Sequence, residues 1–150
     1  MTEIRCTTSD ETEALGSRVA SSLRPGDVLV LAGGLGAGKT LFTKGIATGL
    51  GVEEEVVSPS FVLVREYRSG FMPLIHADVY RLGSINEFED LDVIELSKDG
   101  VLVIEWGAAV ESALPPEHLR IDFEVGEDES RLLRFVPRGA WEHRDLGGLR

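Results

Sequence analysis

Apolar positions recur along this chain with two spacings, and the switch between them predicts its elements. Val28–Ala32 (VLVLA) and the VLVI of GVLVIEW are unbroken apolar runs, the pattern of strands buried on both faces. Leu15, Val19 and Leu23 fall four apart instead, which predicts an amphipathic helix over TSDETEALGSRVASSL. Thr8 or Asp10 caps it, with Glu11 or Glu13 three residues on. Arg24–Asp27 (RPGD) reads as a turn, and a second helix runs from about Lys39 to Leu50, closed by Gly51. Further strands are expected at Ile4–Thr8, from about Phe61 to Tyr67, in HLRIDFEV and in RLLRFVP. PLIHADVYRL reads as a strand running into a functional turn, and SINEFEDLDVIEL as partly helical with a Ser84/Glu87 capping box.

Composition adds little to this picture. A chain of 150 residues, 43% hydrophobic and 27% charged, suits one domain with its own core. No apolar run reaches the roughly 18 residues of a membrane helix. MTEIRCTTSDET lacks the basic start and apolar core of a signal peptide. With one cysteine, Cys6, there is no intramolecular disulfide, and a cytoplasmic location is the default expectation.

Charge changes the picture more. The formal net charge is −11, and the only lysines are Lys39, Lys44 and Lys98. Such a field argues against direct, tight binding of DNA or RNA by this chain alone. A local arginine patch touching RNA inside a larger assembly remains open.

One of those lysines stands in AGGLGAGKT, Ala32–Thr40, which fits G-x-x-x-x-G-K-[ST]. Glycines let such a loop curl so that successive N–H groups face phosphate oxygens, and the following helix adds its positive end. Lys39 would bridge β and γ phosphates, and Thr40 would sit on Mg²⁺. The match follows a buried strand and opens a helix, as the mechanism requires. The predicted fold is therefore α/β: a single P-loop NTPase domain over residues 1–140, mostly parallel, flanked by helices, with late antiparallel strands. Residues 141–150 are expected as a loose tail.

A nucleotide site of this kind also needs an acidic group at a neighbouring strand end. Glu105 follows four apolar residues and is assigned to the metal; Asp78, ending a weaker strand, is assigned to the γ-phosphate side. The chain has no glutamine, so a water-orienting glutamine is excluded. Asp78, Glu105, the Ser60 hydroxyl or a partner must serve. SPSF (Ser58–Phe61) is either a switch loop or a simple strand-entry turn, and Arg81 either faces phosphate or solvates a helix start. His76 shares a strand face with Asp78. His76 reads as a packed, hydrogen-bonded core residue; Trp106 packs over the site or against a partner, with core packing the safer reading. Without a nearby cysteine or second histidine, zinc is disfavoured.

The single asparagine, Asn86, is followed by Glu87 and Phe88, so the N-K-x-D element of Ras-type GTPases is absent. RSGFMP (Arg68–Pro73) is too short for a developed kinase lid. A compact ATPase remains, with a small-molecule P-loop kinase as the alternative.

GGLGAGKT, SPSF, HADVYRL, VIEW and ESRLLRFVPRG, in that order and spacing, resemble the TsaE family. The resemblance extends from the SDETEALG helix start to about Gly139. It implies an ATPase partnering the TsaB and TsaD proteins in threonylcarbamoyl modification of tRNA adenosine, meeting tRNA only through that complex. ATP and Mg²⁺ are the implied ligands. By position, Gly33, Gly34, Leu35, Gly36, Ala37, Gly38, Lys39, Thr40 and Leu41 would hold the nucleotide, Thr40 and Glu105 the metal. Asp78 would stand near the γ-phosphate, with Ser60 in a switch loop. The resemblance also puts the base near Asp10–Thr12, with Glu11 and Thr12 as contacts, and near Arg131. Two positions depart from the family: Gly34 stands for a usual acidic residue, and Ser60 for a usual threonine.

Overall fold

Strand β2 (Val28–Ala32) is buried at every position, as its unbroken apolar run requires. The computed structural model describes residues 2–59, 63–146 and 149. Around β2 it arranges β1 (Thr2–Cys6), α1 (Ser9–Ala20), α2 (Lys39–Gly49), β3 (Val64–Tyr67), β4 (Leu74–Asp78), α3 (Ile85–Asp90), α4 (Val93–Leu96), β5 (Val101–Glu105), β6 (His118–Val125) and β7 (Arg131–Arg138). The seven strands form one mixed sheet in the order β1-β7-β6-β2-β5-β4-β3. Its four inner strands, β6, β2, β5 and β4, run parallel. Both margins are antiparallel.

The alternation of a strand sorts the apolar residues into two cores. Leu29, Leu31, Leu74, Val101 and Val103 face α1 and α2 and join Leu15, Val19, Phe42 and Ile46. Val28, Val30, Ile75, Ala77, Leu102 and Ile104 face the other way and join Phe88 of α3 and Val93 of α4. Each sheet face thus has its own helical layer.

Glycine sets how closely α1 and α2 approach. A Cβ on Gly45 would stand 1.9 Å from the Glu13 carbonyl oxygen, and one on Gly16 would stand 2.2 Å from that of Phe42. The start of α1 is fixed by its cap: Thr8 accepts from the Glu11 amide at 3.1 Å, and Thr7 N–H donates to Glu11 Oε2 at 2.6 Å. That use of Thr7 and Thr8 ends β1 at Cys6, earlier than the expected Thr8. Ser84 caps α3 in the expected way, accepting from the Glu87 amide at 3.2 Å.

The segment leading to Tyr67 pairs antiparallel with β4, because the short connection from Tyr67 to Leu74 allows a hairpin and no crossover. Its expected start, Phe61, lies outside the described residues. The tail is packed where described: Trp141, Leu146 and Leu149 are buried in the same core as α1 and α2. Arg144 holds it, stacked 3.6 Å from the Trp141 ring centroid and bonded to Asp27 at 2.8 Å. Among the described residues no helix is long and apolar enough to cross a membrane.

Candidate functional site

Register builds the acidic end of the site. Asp78 and Glu105 are Cα partners on the adjacent parallel strands β4 and β5, so both carboxylates emerge on the α2 side of the sheet. The loop from Gly33 to Gly38 enters beside them from β2. Its backbone is left-handed at Gly36 (φ 73°) and Gly38 (φ 102°), which is what lets it curl before α2 begins at Lys39. Gly33 serves differently: a Cβ there would stand 2.7 Å from the Phe123 carbonyl oxygen. At Gly34 nothing among the described residues lies within 4 Å of an added Cβ, so a side chain there would have open space.

These elements enclose a cavity of about 290 Å³ lined by Leu35, Gly36, Ala37, Gly38, Lys39, Thr40, Leu41, Ser58, Asp78, Glu105 and Trp106. Lys39 is 5% exposed, and its ammonium donates to the carbonyls of Gly33 and Gly34 at 2.7 Å each. It also stands 3.9 Å from the Trp106 ring centroid. Burial lowers the lysine's pKa, against the opposing pull of the Glu105 and Asp78 charges. Thr40 Oγ1 donates to both Glu105 oxygens, at 3.0 and 2.9 Å. His76 Nε2 stands 2.5 Å from Glu105 Oε2. Asp78 accepts the Tyr80 amide at 2.9 Å.

A second cavity, about 510 Å³, lies across the loop. The α1 start contributes Thr7, Thr8, Ser9 and Thr12, beside Cys6, and the β6–β7 hairpin contributes Asp128, Glu129 and Arg131. Gly36, Gly38 and Leu41 line both cavities. Arg131 ties the hairpin to the loop, donating to the Gly36 carbonyl at 3.1 Å.

The sequence-predicted residues thus gather around one loop. Lys39, Thr40, Leu41, Asp78 and Glu105 line the first cavity, Thr12 and Arg131 the second. Glu11 lines neither; its carboxylate is turned onto Thr7. Arg81 is exposed and lines neither cavity. Ser60 lies outside the described residues, while Ser58 of the same segment reaches the first cavity. Trp106 meets both of its readings, the site and the core. Its backbone is left-handed (φ 63°), which turns the indole toward Lys39 while one side still packs on the second core. Sequence reasoning missed Thr7, Thr8, Ser9, Asp128 and Glu129. The run of hydroxyls before α1 was visible, but nothing local ties it to a hairpin some 120 residues away.

Known proteins resemble this chain in sequence and fold. Residues 6–133 match the family model "Threonylcarbamoyl adenosine biosynthesis protein TsaE". The Streptomyces coelicolor tRNA threonylcarbamoyladenosine biosynthesis protein TsaE is 47% identical over 143 residues, covering 90% of this chain and 97% of that one. Its Bacillus subtilis counterpart is 43% identical over 136 residues, covering 90% and 85%. The crystal structure of Bacillus subtilis YdiB superposes with a TM-score of 0.79 at 38% identity, covering 95% of this chain and 89% of that one. With the family model spanning most of its length, this chain belongs to the TsaE family, proteins of tRNA threonylcarbamoyladenosine biosynthesis.

Proposed function

We propose that this chain is a Mg²⁺-dependent ATPase that acts with the TsaB–TsaD complex, its ATP binding and hydrolysis resetting that complex between turnovers. The observation that carries the reading is the convergence of a curled glycine loop, Lys39, Thr40 and two strand-end carboxylates on one cavity. The donor set supports magnesium. Thr40, Glu105 and Asp78 offer only hard oxygens, and such a cation completes its shell with phosphate oxygens and water. Among the described residues no three His, Cys, Asp or Glu side chains converge as a self-sufficient cage.

On this reading Lys39 and the loop amides bind the β and γ phosphates, and Thr40 and Glu105 hold the cation. Magnesium, when bound, neutralises charge building on the phosphate oxygens. Asp78, buried beside Glu105, orients the water that attacks the γ phosphorus, and ADP and phosphate leave. The second cavity takes the base, with Thr12 and Arg131 on its walls and Glu11 fixing the Thr7 segment. The net charge of −11 favours contact with tRNA through the complex rather than directly. The chain would then work in the cytoplasm.

The test is ATP turnover by the isolated chain, with and without TsaB–TsaD, and with small-molecule acceptors added. Slow hydrolysis to ADP, changed by the complex, is expected, with no phosphorylated acceptor. Lys39→Ala should lose nucleotide binding, and Glu105→Ala should mainly lose Mg²⁺-dependent turnover. A phosphorylated acceptor, or normal turnover in both variants, refutes the proposal.

A further inference from the structure

We infer that His76 is a positioning residue: it holds the Glu105 carboxylate in the orientation that receives the cation. The inference rests on the magnesium-nucleotide reading above.

His76 is fully buried, and its strand neighbours Ile75 and Ala77 are core residues. An apolar side chain would satisfy packing there. The imidazole instead leaves Nδ1 without a hydrogen-bond partner among the described residues, a cost that a buried polar group incurs only when something else compensates. The compensation stands at the other nitrogen, 2.5 Å from Glu105 Oε2. A carboxylate oxygen accepts, so Nε2 carries the hydrogen of that contact.

The geometry leaves Glu105 few other restraints. Thr40 donates to both carboxylate oxygens, yet Thr40 is itself an intended metal ligand. When the site fills, a lone pair of that hydroxyl turns to the cation, and its single hydrogen then holds at most one Glu105 oxygen. The His76 contact comes from β4, through a ring with no room to move, and survives that change. Outer partners of this kind orient a metal-binding carboxylate, and their loss typically costs about 10–100-fold in metal affinity or activity.

Three variants separate orientation from packing. His76→Leu fills the space without a donor, His76→Asn places an amide nearer Nδ1, and His76→Gln can set its amide nitrogen where Nε2 stands. With ADP present, Mn²⁺ binding is followed by electron paramagnetic resonance; ADP affinity without metal and melting temperature are measured alongside. His76→Leu and His76→Asn should weaken Mn²⁺ binding about 10–100-fold while metal-free ADP affinity holds, and His76→Gln should restore most of it. Loss of packing alone would lower the melting temperature without that split. A folded His76→Leu protein with wild-type Mn²⁺ affinity, or a His76→Gln protein as defective as His76→Leu, overturns the inference alone. Wild-type protein that binds neither ADP nor Mn²⁺ overturns the underlying functional reading as well.

Discussion

Replacing Gly45 by alanine tests whether the α1–α2 crossing sets the geometry of the nucleotide loop. Two effects oppose each other. Alanine in a helix interior is favoured over glycine by about 1 kcal/mol. Against that, the new Cβ would stand 1.9 Å from the Glu13 carbonyl oxygen, where real Cβ atoms essentially never come within 3.0 Å. The obstacle is backbone of the facing helix, so no side chain can swing away and the helices must separate by about 1 Å. Overpacking of this kind costs about 1–3 kcal/mol, occasionally more, and a backbone obstacle belongs at the upper end. The net expectation is a loss of about 2 kcal/mol, a fall of about 4–8 °C in melting temperature for a chain of this size. Because α2 begins with Lys39 and Thr40, nucleotide affinity should fall with it. Gly34→Ala is the control: nothing among the described residues lies within 4 Å of its Cβ, so thermal unfolding should change little or improve slightly. A Gly45→Ala protein that melts at or above wild type refutes the reasoning.

Trp141→Ala should destabilise by about 3–5 kcal/mol in urea unfolding, since its ring is 3% exposed and carries Arg144; a loss below about 1 kcal/mol would mean the tail contributes nothing. Glu111 provides the pH test. Burial pushes its pKa up, but hydrogen bonds from His118 and Arg120 outweigh burial and leave it below the ordinary 4.5. Its contribution is therefore complete above pH 4.5 and is lost as pH falls through the depressed value. Glu111→Gln should flatten that acid limb in unfolding measured between neutral and acid pH, and an unchanged slope would remove Glu111 as its cause.

Much of the site was legible because its signals are local. The run VLVLA followed by a glycine loop and Lys39 specifies strand, turn and helix within a few residues, and Thr8 with Glu11 specifies a helix start. Asp78 and Glu105 were legible as strand ends, though their being register partners was not, since that depends on which strands pair. The antiparallel β3, the docking of Trp141, and the hairpin wall of the second cavity all depend on contacts between distant segments, which no periodicity encodes. For Trp106 the sequence offered both the site and the core, and the left-handed turn after Glu105 lets it serve both.

The pairing of Asp78 with Glu105 also bears on where this chain can change length. One residue inserted inside β4 or β5 would slip the register and turn a carboxylate to the opposite face of the sheet. Residues 79–100 join those strands as a crossover carrying α3 and α4, and lengthening the irregular stretches beside those helices is cheap, since doubling a loop costs only about 0.6 kcal/mol in closure entropy. Exposed points in it, such as Gly83 and Asp99, can therefore accept whole inserted segments while the two carboxylates stay side by side. The sheet acts as a ruler for the chemistry, and the crossover above it is free to grow.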